Sequence, residues 1–201
     1  ENLLVLDTSA LIDGRICDLL KTKFIADGTL IVARYVLDEL QHLADDQDGQ
    51  KRTRGRRGLD MLIKIQEDGC LPVRIMDTDY RDIKETDQKL VRLSQELKAK
   101  LVTTDYNLYK VSNIRGVEVL NINDIAQALK PIVLPGEALH VYLLKEGREK
   151  EQGVGYLDDG TMVVVEGARN LIGKRVEAHV TSILQTSAGK MVFSKLRNNR
   201  E

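Results

Sequence analysis

The chain has no tryptophan, two phenylalanines, two cysteines, three prolines and three histidines in 201 residues. Cys17 and Cys70 show no CxxC spacing and have no histidine close by. That argues against a disulfide framework and a cysteine zinc site; each reads as a buried free thiol in a reducing compartment. His42, His140 and His179 are scattered, which speaks against zinc held by histidine. No apolar run approaches the ~20 residues that cross a membrane. No charged-then-apolar signal segment opens the chain. Its first apolar run starts almost at Glu1, so it reads as part of a longer protein whose earlier segment could carry targeting. A net charge of −1 excludes a molecule that holds nucleic acid by overall charge, so any such role rests on local patches.

Hydrophobic residues make up an ordinary 42%. Leu3 to Leu6, Leu30 to Ala33, Leu101-Val102 and Val117 to Ile122 are apolar runs that read as strands. Between them Val36, Leu40 and Leu43 recur at helical spacing, as do Leu59, Leu62 and Ile63, and Leu90, Leu93 and Leu97. Such alternation predicts an α/β unit, a parallel sheet flanked by helices, up to about Lys130. Pro131 and Pro135-Gly136 then read as a linker. Beyond them no long helix is expected. Stretches 138–144, 153–157, 161–166, 174–184 and 190–195 read as five strands, with turns at Asp158-Asp159-Gly160 and Ser187-Ala188-Gly189. Five short strands predict a small closed barrel. The domains are therefore drawn at residues 1–132 and 135–197.

In a doubly wound parallel sheet, ligands sit beyond the carboxyl ends of the strands. Asp7 directly follows the first run and Asp105 directly follows Leu101-Val102-Thr103-Thr104. Glu39 lies one turn into a helix beside the Val36, Leu40 and Leu43 face, with Asp38 a rival. Asp87 opens another helix, with Thr86 a candidate cap. Each acid alone reads as a cap, a turn residue or a solvated helix position. Four at one predicted edge point to a site. Close carboxylates raise one another's pKa, and a hard divalent cation, Mg²⁺ or Mn²⁺, resolves the conflict. Such a cation activates water for phosphodiester hydrolysis.

The ordered set Leu-Asp-Thr-Ser-Ala with Asp7, Leu-Asp-Glu-Leu with Glu39, Asp87 at a helix start and Thr-Thr-Asp with Asp105 resembles the motifs of PIN domain nucleases. The resemblance covers roughly residues 1–130 and implies that these four acids bind divalent metal and that the domain cleaves RNA. It also implies that Ser9 and Thr104 support the acids and that Asn107 takes a further polar position. The stretch Gly153 to Arg169, with Gly173 and Val176 to Thr181, resembles the TRAM domain, an RNA-associated barrel of OB-like build. Asp7 to Arg15, Arg52 to Leu59 and Thr103 to Leu108 look closer still to bacterial PIN–TRAM proteins of the YacL type. In those, an upstream membrane-anchoring region places this portion in the cytoplasm. The PIN resemblance also implies a homo-oligomer.

Lys51, Arg52, Arg54, Arg56 and Arg57 form the one dense basic run, read as a loop near the acids. It either guides phosphates, its glycines letting the backbone approach, or is a solvated stretch balanced by Asp45, Asp46 and Asp48. From Pro135 onward ten Lys and Arg face nine Asp and Glu, so the barrel is not strongly basic. Lys174, Arg175, Lys190, Lys195 and Arg197 could form a patch; Tyr142, Tyr156 and Phe193 could stack on bases or belong to the core. The sequence therefore predicts a metal-dependent nuclease acting on RNA, or on DNA, without a small-molecule cofactor. The alternative is a catalytically weak metal- and RNA-binding regulatory module. A phospho-acceptor receiver fits less well, because Asp7-Thr8 lacks a second acid.

Overall fold

The computed structural model describes residues 2–129, 133–186 and 189–197. The chain divides into two compact units, Glu1–Ala128 and Leu129–Glu201.

The first unit runs β1 (Leu3–Leu6), α1 (Thr8–Asp13), α2 (Arg15–Lys21), β2 (Thr29–Ala33), α3 (Arg34–Ala44), α4 (Gly49–Asp68), β3 (Val73–Met76), α5 (Thr86–Leu97), β4 (Lys100–Thr103), α6 (Tyr106–Ile114), β5 (Val119–Asn121) and α7 (Ile122–Ala128). Its sheet is wholly parallel, in the order β3-β2-β1-β4-β5. Every residue of β2 is buried, and so are the last three of β1. Unbroken apolar runs suit strands covered on both faces. Strand order reverses between β1 and β4, and such a switch point opens a crevice beyond the strands' carboxyl ends.

Several elements depart from the sequence reading. β3 is a half-exposed edge strand with Arg74 in its middle, so it lacks an apolar run. Helices α1, α2 and α7 have six or seven residues, too few for a periodic signal. β5 has three residues, because Ile122 already opens α7. Thr86 is the first residue of α5; Glu85 holds the cap position, and no side chain caps that end. Cys17 is buried, but Cys70 is exposed, in the turn that leads from α4 into β3.

The basic run is helical rather than a loop. Asp48 caps α4, accepting from the backbone N–H of Gln50 (2.7 Å) and of Lys51 (3.2 Å). Glycine inside a helix costs about 1 kcal/mol each, which is why the stretch reads as irregular. Tertiary packing supplies the compensation. A Cβ at Gly55 would stand 2.2 Å from the backbone nitrogen of Ala44, and one at Gly58 2.4 Å from Cδ2 of Leu40. Both glycines therefore let α4 press onto α3, the helix that carries Glu39.

The second unit is a closed barrel of β6 (Ala138–Glu146), β7 (Gly153–Tyr156), β8 (Met162–Glu166), β9 (Arg175–Thr186) and β10 (Gly189–Leu196), in the order β10-β8-β7-β6-β9. Only β10 and β8 pair in parallel. Along β6, Leu139, Val141 and Leu143 point into the core while His140 and Tyr142 face out. The chain turns at 157–160, where Gly160 takes φ +82° and donates to the carbonyl of Leu157. Pro135-Gly136 belongs to the barrel: the Gly136 N–H donates to the carbonyl of Val180 at 2.7 Å. Pro131 of the expected linker, and Ser187 and Ala188 of the expected turn, lie outside the described residues. Among the described residues no helix is long and apolar enough to cross a membrane.

Candidate active site

The crevice at the strand-order reversal is built around Asp7. Its N–H donates to the carbonyl of Val102, so the residue is fixed to β4 as it leaves β1. The side chain is 4% exposed. Its Oδ2 accepts from the hydroxyl of Thr103 (2.7 Å) and from the hydroxyl of Ser9. Ser9 Oγ in turn accepts from the Thr104 N–H (3.0 Å), and Thr103 Oγ1 from the Asp105 N–H (3.0 Å). One small network thus locks the ends of β1 and β4 together and leaves Oδ1 of Asp7 outside these bonds. Burial pushes the Asp7 carboxyl up, while the Ser9 and Thr103 hydroxyls pull it down.

Glu39 reaches the same place from α3. Its Oε2 accepts from the Thr8 hydroxyl at 2.8 Å, beside Asp7 in the chain. Asp38 is exposed, so the geometry favours Glu39 over its neighbour. Asp105 caps α6: its Oδ1 accepts from the N–H of Asn107 (2.7 Å) and of Leu108 (3.1 Å), and the side chain stays exposed. The capping role and a place at the crevice therefore coincide. Asp87, in the first turn of α5, has its carboxyl pushed up to about 6 by partial burial, then by the charges of Asp7, Asp105 and Glu39. Asp87 is thus close enough to feel the charges of the other three acids.

No ion pair joins any of the four to a basic side chain among the described residues. Nor do three His, Cys, Asp or Glu side chains there stand at metal-holding geometry. The acids ring the crevice without closing into a cage. That donor set, all oxygen and surplus in negative charge, fits a hard cation that retains waters and takes few protein ligands.

Around this centre some expected residues are placed differently. Thr103 and Thr8, rather than the hydroxyl of Thr104, bond the acids. Thr103 ends β4, and Thr104 contributes its backbone instead: its N–H donates to Ser9 and its carbonyl accepts from Asn123. Asn107 likewise serves through its N–H, with an exposed side chain. On α4, Arg57 donates to the carbonyl of Asp13 (2.9 Å) and Arg52 to that of Asp46 (3.4 Å). Arg54 and Arg56 are exposed and without a partner among the described residues.

Two neighbours escaped sequence reasoning. Arg15 is held by both oxygens of Asp13 (2.7 and 2.9 Å) and by Asn123 (2.6 Å), and Asn123 bonds the Thr104 carbonyl (3.1 Å). A guanidinium is thereby tethered to the crevice wall. Tyr106, next to Asp105, is 61% exposed, with Lys110 4.5 Å above its ring. A tyrosine immediately after the last acid was the available signal.

Residues 133–189 match the TRAM domain family. The chain is 52% identical over 195 residues to the PIN and TRAM-domain containing protein YacL of Bacillus subtilis, itself uncharacterized, covering 97% of this chain and 53% of that protein. It is 55% identical over 191 residues to an uncharacterized PIN and TRAM-domain containing protein of Synechocystis, covering 95% of this chain and 53% of the other. The chain thus spans about half the length of the curated relatives it matches. A domain of a functionally unknown protein from Methanocaldococcus jannaschii has a similar fold, with a TM-score of 0.52, 23% identity, and coverage of 68% of this chain and 97% of that one.

Proposed function

The chain belongs to the family of PIN and TRAM-domain proteins, and from that premise we propose that it is a divalent-metal-dependent nuclease that hydrolyses phosphodiester bonds in RNA. Residues 1–132 carry the chemistry and residues 135–197 help to hold the strand. The observation that supports this reading best is that Asp87 feels the charges of Asp7, Glu39 and Asp105, which are bonded to hydroxyls or backbone N–H groups, while none of the four pairs with a basic side chain among the described residues.

These four acids would hold Mg²⁺ or Mn²⁺. When bound, the cation lowers the pKa of a coordinated water and offsets charge on the phosphate oxygens. The chain's own groups do the positioning. Ser9 and Thr103 fix one oxygen of Asp7, so the other is presented in a set direction. Thr8 does the same for Glu39. Thr103 also ties Asp7 to the backbone of Asp105, so the two strand ends cannot drift apart independently. Arg54 and Arg56, open on α4, take phosphates of the flanking strand, with Arg52 and Arg57 beside them on the same helix. The free thiols of Cys17 and Cys70 accord with a cytoplasmic setting.

A second reading, a regulatory module that binds metal and RNA and cuts weakly, draws support from the open spacing of the acids. The experiment that separates the two incubates the protein with single-stranded RNA and matched DNA, in Mg²⁺, Mn²⁺ or chelator, beside Asp7→Asn. Cutting that needs metal and falls more than about a hundredfold in the variant is expected, since even partners of metal ligands are worth 10–100-fold. RNA binding without cutting in any metal favours the second reading; equal cutting by Asp7→Asn removes Asp7 from the mechanism.

A further inference from the structure

The barrel bears a feature that the nuclease reading leaves unused. A hollow of about 590 Å³ is lined by residues of β6, the end of β7, the 157–160 turn, Val133 and Arg175; its volume lies within the ~300–1,000 Å³ of small-ligand sites. Two phenol rings line it, Tyr142 (50% exposed) and Tyr156 (39% exposed). Leu143 pairs with Gly155 across these antiparallel strands, so the tyrosines stand one step further along, facing each other. Across the other edge of β6, Tyr142 pairs with Arg175. Cross-strand neighbours on one face have Cβ atoms about 5 Å apart, so ring, ring and guanidinium form one row. Arg175 has no carboxylate partner among the described residues. Lys145 Nζ stands 5.7 Å from the centre of the Tyr156 ring.

Half-exposed rings need a reason, because their apolar bodies gain from burial. Here they share an apolar floor of Val133, Leu139, Val141 and Leu157 with charged groups: Arg175, and Asp158 and Asp159 of the 157–160 turn. A protein partner fits that charged lining poorly, since the fully buried centre of a protein interface is depleted of charge. A planar aromatic ligand carrying phosphates fits it well. The cations suit phosphate, while the turn carboxylates repel it and accept from exocyclic amino groups.

Resting on the reading of the barrel as an RNA holder, we infer that Tyr142 and Tyr156 form a stacking subsite for unpaired bases, with Arg175 and Lys145 taking the adjoining phosphates. The subsite selects single strands, because bases paired in a duplex offer no free faces.

The test measures binding of the full chain to a fluorescent single-stranded RNA, and to the same sequence as a duplex, in chelator so that nothing is cut. Tyr142→Ala and Tyr156→Ala are each expected to weaken single-strand binding about tenfold or more, from the usual worth of a stacked base. Tyr142→Phe and Tyr156→Phe keep the ring and are expected to bind like the parent, and duplex binding is expected to change little in any variant. Alanine variants that bind the single strand like the parent overturn the subsite and leave the rings as a protein contact. Equal losses for single strand and duplex overturn it as well. Cleavage by the parent in Mn²⁺ is scored separately. A parent that never cuts while the alanine variants lose single-strand binding sinks the nuclease reading alone; a parent that cuts with unchanged alanine variants sinks the subsite alone.

Discussion

The two units of this chain place their chemistry in different parts of their strands. In the α/β unit the central strands are covered on both faces, so polar groups sit where strands end: Asp7 after β1, Asp105 after β4. In the barrel, residues alternate in and out along β6, so the ring of Tyr142 faces out from within the strand, and Tyr156 faces out from the last position of β7. A buried parallel strand can hold a ligand only at its tip, and an antiparallel barrel strand can hold one along its side. The first arrangement gathers a few groups rigidly around a point. The second spreads contacts along a line, which suits a chain-like ligand. Each unit also has a glycine pressed tightly on the backbone of another segment: Gly55, against the backbone of α3, and Gly155, where a Cβ would stand 2.2 Å from the carbonyl oxygen of Tyr142.

Those two glycines give the largest expected effects. Gly55→Ala drives a methyl group into the backbone of Leu43 and Ala44, which cannot rotate away. Overpacking of this kind costs about 1–3 kcal/mol or more, against a gain of about 1 kcal/mol in helix propensity. A net loss near 2 kcal/mol is expected, seen as a melting temperature lower by roughly 5–10 °C at 222 nm, where the helices of the first unit dominate. Gly155→Ala lacks the helix gain and should instead lower the barrel's affinity for single-stranded RNA while leaving the 222 nm melt near the parent's. If both variants moved both readouts equally, the units would not be separable in this way.

Thr103→Val probes the strand-tip arrangement. It removes the hydroxyl shared by Asp7 and the Asp105 N–H while keeping the shape. A drop of about 10–100-fold in metal-dependent cleavage, with Mn²⁺ needed at higher concentration, is expected from loss of a positioning partner. Thr104→Val, one residue on, makes no such side-chain bond to an acid and is expected to cut like the parent. The smallest effect belongs to α4. Arg54→Ala with Arg56→Ala should lower the slope of log affinity against log salt by about 1.4, the share of two phosphate contacts on a single strand. An unchanged slope would make these arginines solvated helix residues.

Asp7, Asp105 and Asp87 were legible from sequence because they follow an apolar strand or open a helix, and Glu39 because it flanks the apolar face of a helix after a strand, positions that a linear pattern reveals. The barrel strands were legible because inward and outward residues alternate, as at Leu139, His140, Val141 and Tyr142. The first half of the helix at Gly49–Asp68 was not, because Gly49, Gly55 and Gly58 look like loop residues until α3 is laid against them. Thr103 and Thr104 are neighbours with equal chemistry, and only the pairing of β4 with β1 decides which hydroxyl meets Asp7. Arg15 is unremarked in the chain, since its partner Asn123 is 108 residues away.

By itself the sequence determined the two-part layout, most of the strands and the placing of the acids after strands or on helices, because hydrophobic periodicity and strand-end position are local properties of the chain. Tertiary structure alone decided which hydroxyls orient the acids, why the basic run is a helix, and that Tyr142 and Tyr156 face solvent across from each other. Those depend on register and on close approach between segments far apart in sequence, which no local pattern encodes.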